Sequence, residues 1–458
     1  MTLPLPESLN DLSREELLGL VVQLIAEVQR LQAEVERLKK PPTTSHNSSQ
    51  PPSRDQKRNL LAMRPSRPRG AQPGHPKAER PLADHPDTVI EARVTTCVRC
   101  GTDLHGVPPH AILRRQVLEL PVIKPVVLET QQHQVVCPRC AHVQRGALPE
   151  GLEATRRFGP RLEATVTYLQ HQQHLSYERT HTTLAELLGV TLSEGGQACI
   201  LERAGEAATP VAEALRHQVL QSPVIGSDET GARVDGHTWW QWVFASPHAV
   251  YHVIRPSRGA DVLQAVLGGQ RVNTWVCDCW SPQLKVPAER WQLCLAHQIR
   301  NLQGLIDQSP HLRWAREMQA LLRTAIHLAK RREQLTEPGF RRRVTEIERQ
   351  LDRLLKRAVW TRSAQTLLKR YRKHRDHLLV FLHDPQVPFH NNACERALRP
   401  AVVHRKVTGG FRSHWGADAY AALASVSDTA KLRGQSVFET LVNLMGKPVL
   451  PYLVIQKP

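Results

Sequence analysis

After Pro223 the chain leaves helix-like periodicity for a series of short apolar, β-branched and aromatic runs, and this limits the fold more than any other feature. VIGSD, HTWWQWVFAS and AVYHVI read as three strands, SRGADVLQAVLGG as a helix and VNTWVCD as a fourth strand. Strand, strand, strand, helix, strand is the opening order of an RNase H-like fold, so an α/β core is expected. Two acidic residues fall where these runs end: Asp228 closes VIGS and Asp278 follows VNTWVC. An unpaired carboxylate is costly to desolvate there without a metal or a base beside it. Glu395 stands in HNNACERALRP, where Asn391 and Asn392 read as the capped start of a helix. Packed beside the strands, that helix would gather three carboxylates able to hold a pair of hard cations through oxygen.

Between the second and third carboxylates the pattern is helical. A helix is expected from about Glu289 to Ile306, carrying Cys294, His297 and Arg300, and a basic helical insertion over 308–388, with KRREQL and LLKRYRKHRDH, interrupts the core. Such an insertion leaves the sheet intact if its ends close together in space. His297 and Arg300 lie about one turn apart on one helix face, suited to a scissile phosphate or to tying the helix to the sheet. Arg396, Arg405 and Lys406 are candidate DNA contacts beside Glu395. Cys277 and Cys279, two apart on a strand, would face opposite sides and so do not complete a zinc site with Cys294 and His297. Trp239, Trp240 and Trp242 are expected to fill the core or an edge of the sheet.

The N-terminal part is modular. Over 7–40, apolar residues step Leu17, Val21, Leu24, Val28, Leu31, Val35, Leu38, a heptad with Val at one seam position and Leu at the other. That pattern favours a parallel two-stranded coiled coil, hence a homodimer or higher oligomer. A basic, Pro-rich linker occupies 41–87. Over 88–150, the pairs Cys97/Cys100 and Cys137/Cys140 flank strand-like alternation in VLELPVIKPVVLE; four thiolates suit one structural zinc in a ribbon-like domain, with no open position for chemistry. Residues 155–221 read as helical, with a helix-turn-helix-like pair joined at Gly189-Val190-Thr191 and Ser193 capping the second helix. Residues 222–307 begin the catalytic core and 389–458 finish it with C-terminal helices.

A net charge of +18, spread along the chain, points to a long polyanion, with nucleic acid first. No apolar run approaches the roughly 20 residues of a spanning helix, so a cytoplasmic, nucleoid-associated protein without a membrane partner is expected. Nine cysteines is an odd count, and in a reducing compartment paired C-x-x-C motifs argue for metal over disulfides.

In these residues the chain resembles the insertion-sequence-66 family of transposases. The resemblance is carried by the N-terminal zipper, NSSQPPS, GAQPGHPK, the paired C-x-x-C, LSYERTHTTLAELLGV, SDETGARVDG, CDCW, LCLAHQIRNL, NNACERALRP and HRKVTGGFRS. It implies a DDE-type enzyme with an RNase H-like core and two Mg²⁺ ions held by Asp228, Asp278 and Glu395, cutting element ends and joining the freed 3′-hydroxyl to target DNA. It also implies that the zipper, zinc and helical segments serve assembly and end recognition, with accessory proteins of the same element as further candidate partners. SPQLK, where the family carries a Tyr, and Asn301, where it carries an acid, depart from the pattern. A catalytically inactive, transposase-derived, zinc-containing DNA-binding protein is the competing reading; a stand-alone nuclease would share the metal site without needing element ends.

Overall fold

The computed structural model describes residues 13–39, 44, 46–48, 74–75, 80–148 and 157–446. Most of the basic linker, and the chain beyond 446, lie outside them. The chain divides into two compact units, one of 1–55, 127–186 and 190–458, the other of 56–126 and 187–189.

In the smaller unit the Cys97–Cys100 turn closes on itself. Gly101 N–H donates to Cys97 O and Cys97 N–H to Thr102 O, each at 2.9 Å, and Thr96 bridges Asp103. The alternating segment around Leu118 forms no strand, contrary to the sequence expectation. Pro121 and Pro125 lack N–H groups, and Val117, Leu118, Leu120 and Val122 are exposed, so neither a ladder nor a buried face holds it as a strand.

The larger unit begins with α1 (Arg14–Lys39), on which Val21, Leu24, Val28 and Leu31 are exposed. Beyond α1, Asn47 reaches a distant helix, donating from Nδ2 to Asp307 Oδ2 at 2.9 Å. A Cβ on Gly304 would lie 2.4 Å from Asn47 O, so Gly304 permits this approach. β1 (Gln134–Val136) and β2 (Val143–Arg145) form an antiparallel hairpin whose tip is the Cys137–Cys140 turn. Next come α2 (Pro160–Thr167), α3 (Tyr177–Leu188) and α4 (Glu194–Leu220). Ser193 Oγ accepts from Gly196 N–H at 3.2 Å, and Glu194 and Gly195 are exposed. Farther along, α4 is a core helix, burying Ala204, Ala208, Ala212, Leu215 and Val219.

The central sheet contains β3 (Val224–Val234), β4 (His237–Ala245), β5 (Val250–Arg255), β6 (Val272–Cys277) and β7 (Ala288–Leu293), in the order β5-β4-β3-β6-β7. β3, β4 and β5 are antiparallel neighbours, whereas β6 runs parallel to β3 and β7 parallel to β6. α5 (Ala260–Leu267) makes the crossover from β5 to β6. This mixed five-stranded sheet with its helices agrees with the α/β core expected from the sequence.

Two sequence expectations need correction here. Asp228 is not at a strand end: antiparallel pairing with β4 carries β3 on to Val234, while parallel pairing with β6 covers only Val224 to Gly226. Nor does a helix begin near Glu289. Residues Ala288–Leu293 pair with β6 as β7, and α6 (Leu295–Gln308) starts only after it, because a sheet neighbour with backbone groups to satisfy outweighs local helix pattern.

α7 (Arg313–Lys330), α8 (Glu337–Lys356), α9 (Arg362–Lys373) and α10 (Val380–His383) build the insertion. Leu322, Leu351 and Tyr371 of these helices belong to the same apolar core as Ile225, Trp275 and Leu293 of the sheet. The chain leaving the sheet at α6 is met by the chain returning after the insertion: Leu295 N–H donates to Phe389 O at 2.9 Å, and Phe381 N–H to the buried Gln292 Oε1 at 3.0 Å. α11 (Asn392–Thr408), α12 (His414–Leu432) and α13 (Val437–Leu444) complete the described chain. α12 covers the edge of β5: Ser425 Oγ accepts from His252 N–H at 2.8 Å and Thr429 Oγ1 from Val250 N–H at 3.0 Å.

α4 and α12 approach through small residues. A Cβ on Gly205 would lie 2.3 Å from Ala419 Cβ and 2.9 Å from its Cα. Gly205→Ala is therefore expected to lower thermal stability, since overpacking costs about 1–3 kcal/mol against a helix-propensity gain of at most about 1 kcal/mol. A melting temperature equal to the parent's would show that the two helices can part freely.

Candidate active site

Side chains alternate along β3, and this sorts its acids. Gly226 and Asp228 share the face toward α11; Ser227 and Glu229 share the other, where Gln283 Nε2 donates to Ser227 Oγ (3.3 Å) and Glu229 Oε2 (3.0 Å). α11 is seated on β3 by a close approach. A Cβ on Gly226 would lie 2.9 Å from Asn391 Oδ1 and 3.0 Å from Cys394 Sγ. Asn391 does not cap α11 with its side chain, as the sequence suggested; its Nδ2 donates instead to Ser227 O at 2.7 Å. Its backbone N–H reaches Cys294 Sγ at 3.2 Å, and Cys294 N–H reaches Cys277 O at 2.8 Å. These bonds join the ends of β6 and β7 to the start of α11 and set the register of Glu395.

The three expected carboxylates thus come from β3, the residue after β6, and the first turn of α11. Burial, reinforced by the negative charges of Glu229 and Asp278 and more weakly by Glu395, pushes the Asp228 carboxyl well above the usual carboxylate range; the Glu229 N–H opposes this. Asp228 therefore senses both other members of the trio. Its own hydrogen bond is local, Oδ1 accepting from Glu229 N–H at 2.9 Å, and Asp278 Oδ1 likewise accepts from Trp280 N–H at 2.8 Å.

Glu395 has a different surround. His297 Nε2 and the Arg300 guanidinium stand 3.7 and 3.8 Å from its Oε1, which is buried without a hydrogen-bond partner, as is His297 Nδ1. The ligand atoms of Cys294, His297 and Glu395 all lie within 4.8 Å of one another. Burial holds the His297 imidazole below its ordinary value, with Glu395 acting against that shift. A buried carboxylate oxygen without a hydrogen bond, near an Asp228 carboxyl pushed up by its acidic neighbours, leaves oxygen donors unsatisfied. Hard divalent cations fit that deficit.

Sequence reading missed Glu229. Its side chain is only 2% exposed and pairs with Arg258 at 2.9 Å, with Nε also donating at 3.0 Å. Burial and Asp278 push this carboxyl up, while Gln283 and Arg258 oppose them. The adjacent Asp-Glu pair was a visible signal, but strand alternation alone does not say which acid meets α11.

Among the expected DNA contacts, Arg396 and Lys406 are exposed on α11. Arg405 is half-buried and its Nη1 donates to Gly231 O, tying α11 to β3. Each C-x-x-C turn has its own electrostatics. Hydrogen bonds from Thr102 lower the Cys100 thiol, and backbone N–H groups of Cys140 and Arg139 lower that of Cys137, both favouring thiolate. Both turns place the residue after the second cysteine in the left-handed region, Gly101 at φ 74° and Ala141 at φ 55°.

The site thus gathers acidic side chains from β3, the end of β6 and the start of α11 on a mixed sheet. A family model described as Transposase IS66 family matches residues 155–419, and the chain belongs to that family. It is similar to two uncharacterized proteins of Sinorhizobium fredii: y4jO, 28% identical over 160 residues (34% of this chain, 47% of that protein), and y4hP, 24% identical over 405 residues (76% and 70%). The match thus spans about half the length of y4jO. Membership of this family supports a transposase role. Among the described residues no helix is long and apolar enough to cross a membrane.

The raised Asp228 carboxyl has a thermodynamic consequence. Between its ordinary value of 3.8 and its raised value, the folded chain binds more protons than the unfolded one. Stability from this group therefore falls as pH climbs through that window and stays reduced above it. With chelator at neutral pH, Asp228→Asn should melt higher than the parent by on the order of a few degrees, and the gap should close near pH 4. Magnesium should raise the parent's melting temperature more than the variant's. Equal melting of both proteins in chelator would remove the electrostatic account.

Proposed function

We propose that the protein cuts the ends of its insertion element and joins the freed 3′-hydroxyl to target DNA, with Asp228, Asp278 and Glu395 as ligands for two magnesium ions. The observation that carries this reading is the coupling of Asp228 to both Asp278 and Glu395, side chains far apart in sequence, in a chain of this family. Bound there, paired cations would stabilise the attacking and leaving oxygens of an in-line displacement. The chain's own groups orient and confine. Asn391 and Cys294 hold the start of α11, while His297 and Arg300 hold Glu395 toward the cleft. Arg396 and Lys406, exposed on the same helix, supply positive charge for the DNA backbone, and Arg405 keeps α11 on β3.

The assembly reading rests on α1. Its exposed valines and leucines at heptad spacing have a use if a second copy covers them, which makes the working form a homodimer or larger. The zinc reading, with Cys97, Cys100, Cys137 and Cys140 as ligands, rests on each turn taken alone, with its donors directed at sulfur.

Replacing Asp228, Asp278 or Glu395 by Ala should reduce strand cleavage to background while binding of element ends changes little. An Asp228→Ala protein that cuts at the parental rate would end the assignment. Purified protein should carry about one zinc per chain, lost when Cys97 or Cys137 is replaced by Ser; folded, active protein without zinc would remove that part.

A further inference from the structure

Beside the carboxylates, on the Glu229 face of β3, the structure holds a stack that the chemistry above does not use. The Arg258 guanidinium lies between two indoles, 4.5 Å from the ring centre of Trp240 and 4.2 Å from that of Trp280. Its charge is matched by the buried Glu229. Trp240 is half-buried, whereas Trp280 keeps 38% of its surface exposed, though its backbone is pinned two residues after Asp278 by the bond to that carboxylate. Trp280 Nε1 also points to Arg258 O at 3.5 Å. Among the described residues, no ring or cation other than Arg258 is recorded on the Trp280 indole. An indole set this firmly, with free surface beside the site of phosphodiester cleavage, has lost its conformational freedom before any ligand arrives.

We propose that Trp280 is a stacking platform for one unpaired nucleobase of the DNA strand next to the scissile phosphate, held in place by Arg258 and Trp240. This rests on the transposase reading and deepens it. An aromatic face takes any base, so the platform asks for an unstacked nucleotide rather than a sequence. A strand drawn to the carboxylates beyond the β3–β6 pairing would need its flanking base to leave the duplex, and the indole offers that base a surface in place of its neighbour. Arg258 cannot serve the DNA backbone as a free cation while Glu229 neutralises it; its part is to fix the ring.

The test uses the full-length protein with magnesium and a duplex bearing an unpaired thymine flank, in which 5-iododeoxyuridine replaces each thymine in turn. Irradiation is expected to attach one flank position to Trp280, identified by peptide mass spectrometry. Trp280→Leu, which keeps apolar bulk without a ring, should lose that adduct and bind the flanked duplex about tenfold more weakly, while Trp280→Phe should retain much of both. Unchanged binding of fully paired duplex and an unchanged melting temperature would show that the Leu protein is folded. Adducts that map elsewhere, or a Leu variant that binds and cuts flanked DNA like the parent, would overturn the platform and leave the transposase reading intact. A parent protein that crosslinks at Trp280 yet never cuts DNA would support the platform and remove the enzymatic reading.

Discussion

Like charges buried together set the terms for this face of the sheet. Asp228 and Glu229 are both pushed above the usual carboxylate range by burial and by neighbouring acidic side chains, Asp278 among them in each case. The fold resolves this unevenly. Glu229 receives Arg258 and Gln283, and Glu395 has His297 and Arg300 within ion-pair range. Among the described residues, Asp228 receives only a neighbouring backbone N–H. Burial and its acidic neighbours therefore favour the neutral form of this carboxyl in the folded chain.

Keeping such a cluster together requires rigid support, and the support lies in the backbone. Gly226 removes the Cβ that would hold α11 away from β3, Asn391 bonds across to Ser227, and Cys294 links the ends of β6 and β7 to the same helix start. None of these residues adds charge. The excursion through α6 and the insertion depends on the same joint, because Leu295, which opens α6, bonds to Phe389, just after the insertion, so the chain returns to the sheet where it left it. Its shared core with Ile225 and Trp275 makes it part of the catalytic body instead of an appendage.

Much of this was legible in the residues. Apolar runs marked β3, β4, β5, α5 and β6, and Asp278 falls directly after its strand as the run VNTWVC suggested. The failures share a cause. β7 was hidden because AERWQL, read alone, continues into a helical pattern, and only β6 alongside makes it a strand. Asp228 looked terminal because the polar residues after it break the apolar run, yet β4 keeps pairing to Val234. The prolines of VLELPVIKPVVLE should have weighed more heavily than its alternation. At the site, spacing gave residue types but not facing: that Asn391 bridges instead of capping, and that Glu229 belongs with Arg258, depends on neighbours far along the chain.

The link between Asn47 and Asp307 acts as a short leash. From Lys39, the last residue of α1, to Thr44, whose N–H bonds to Asn47 Oδ1, the backbone can extend at most roughly 18 Å. The end of α1 is therefore tied within that span to α6, the helix that presents His297 and Arg300 to Glu395. Asp307, which closes the link, sits about two turns beyond Arg300 on that helix.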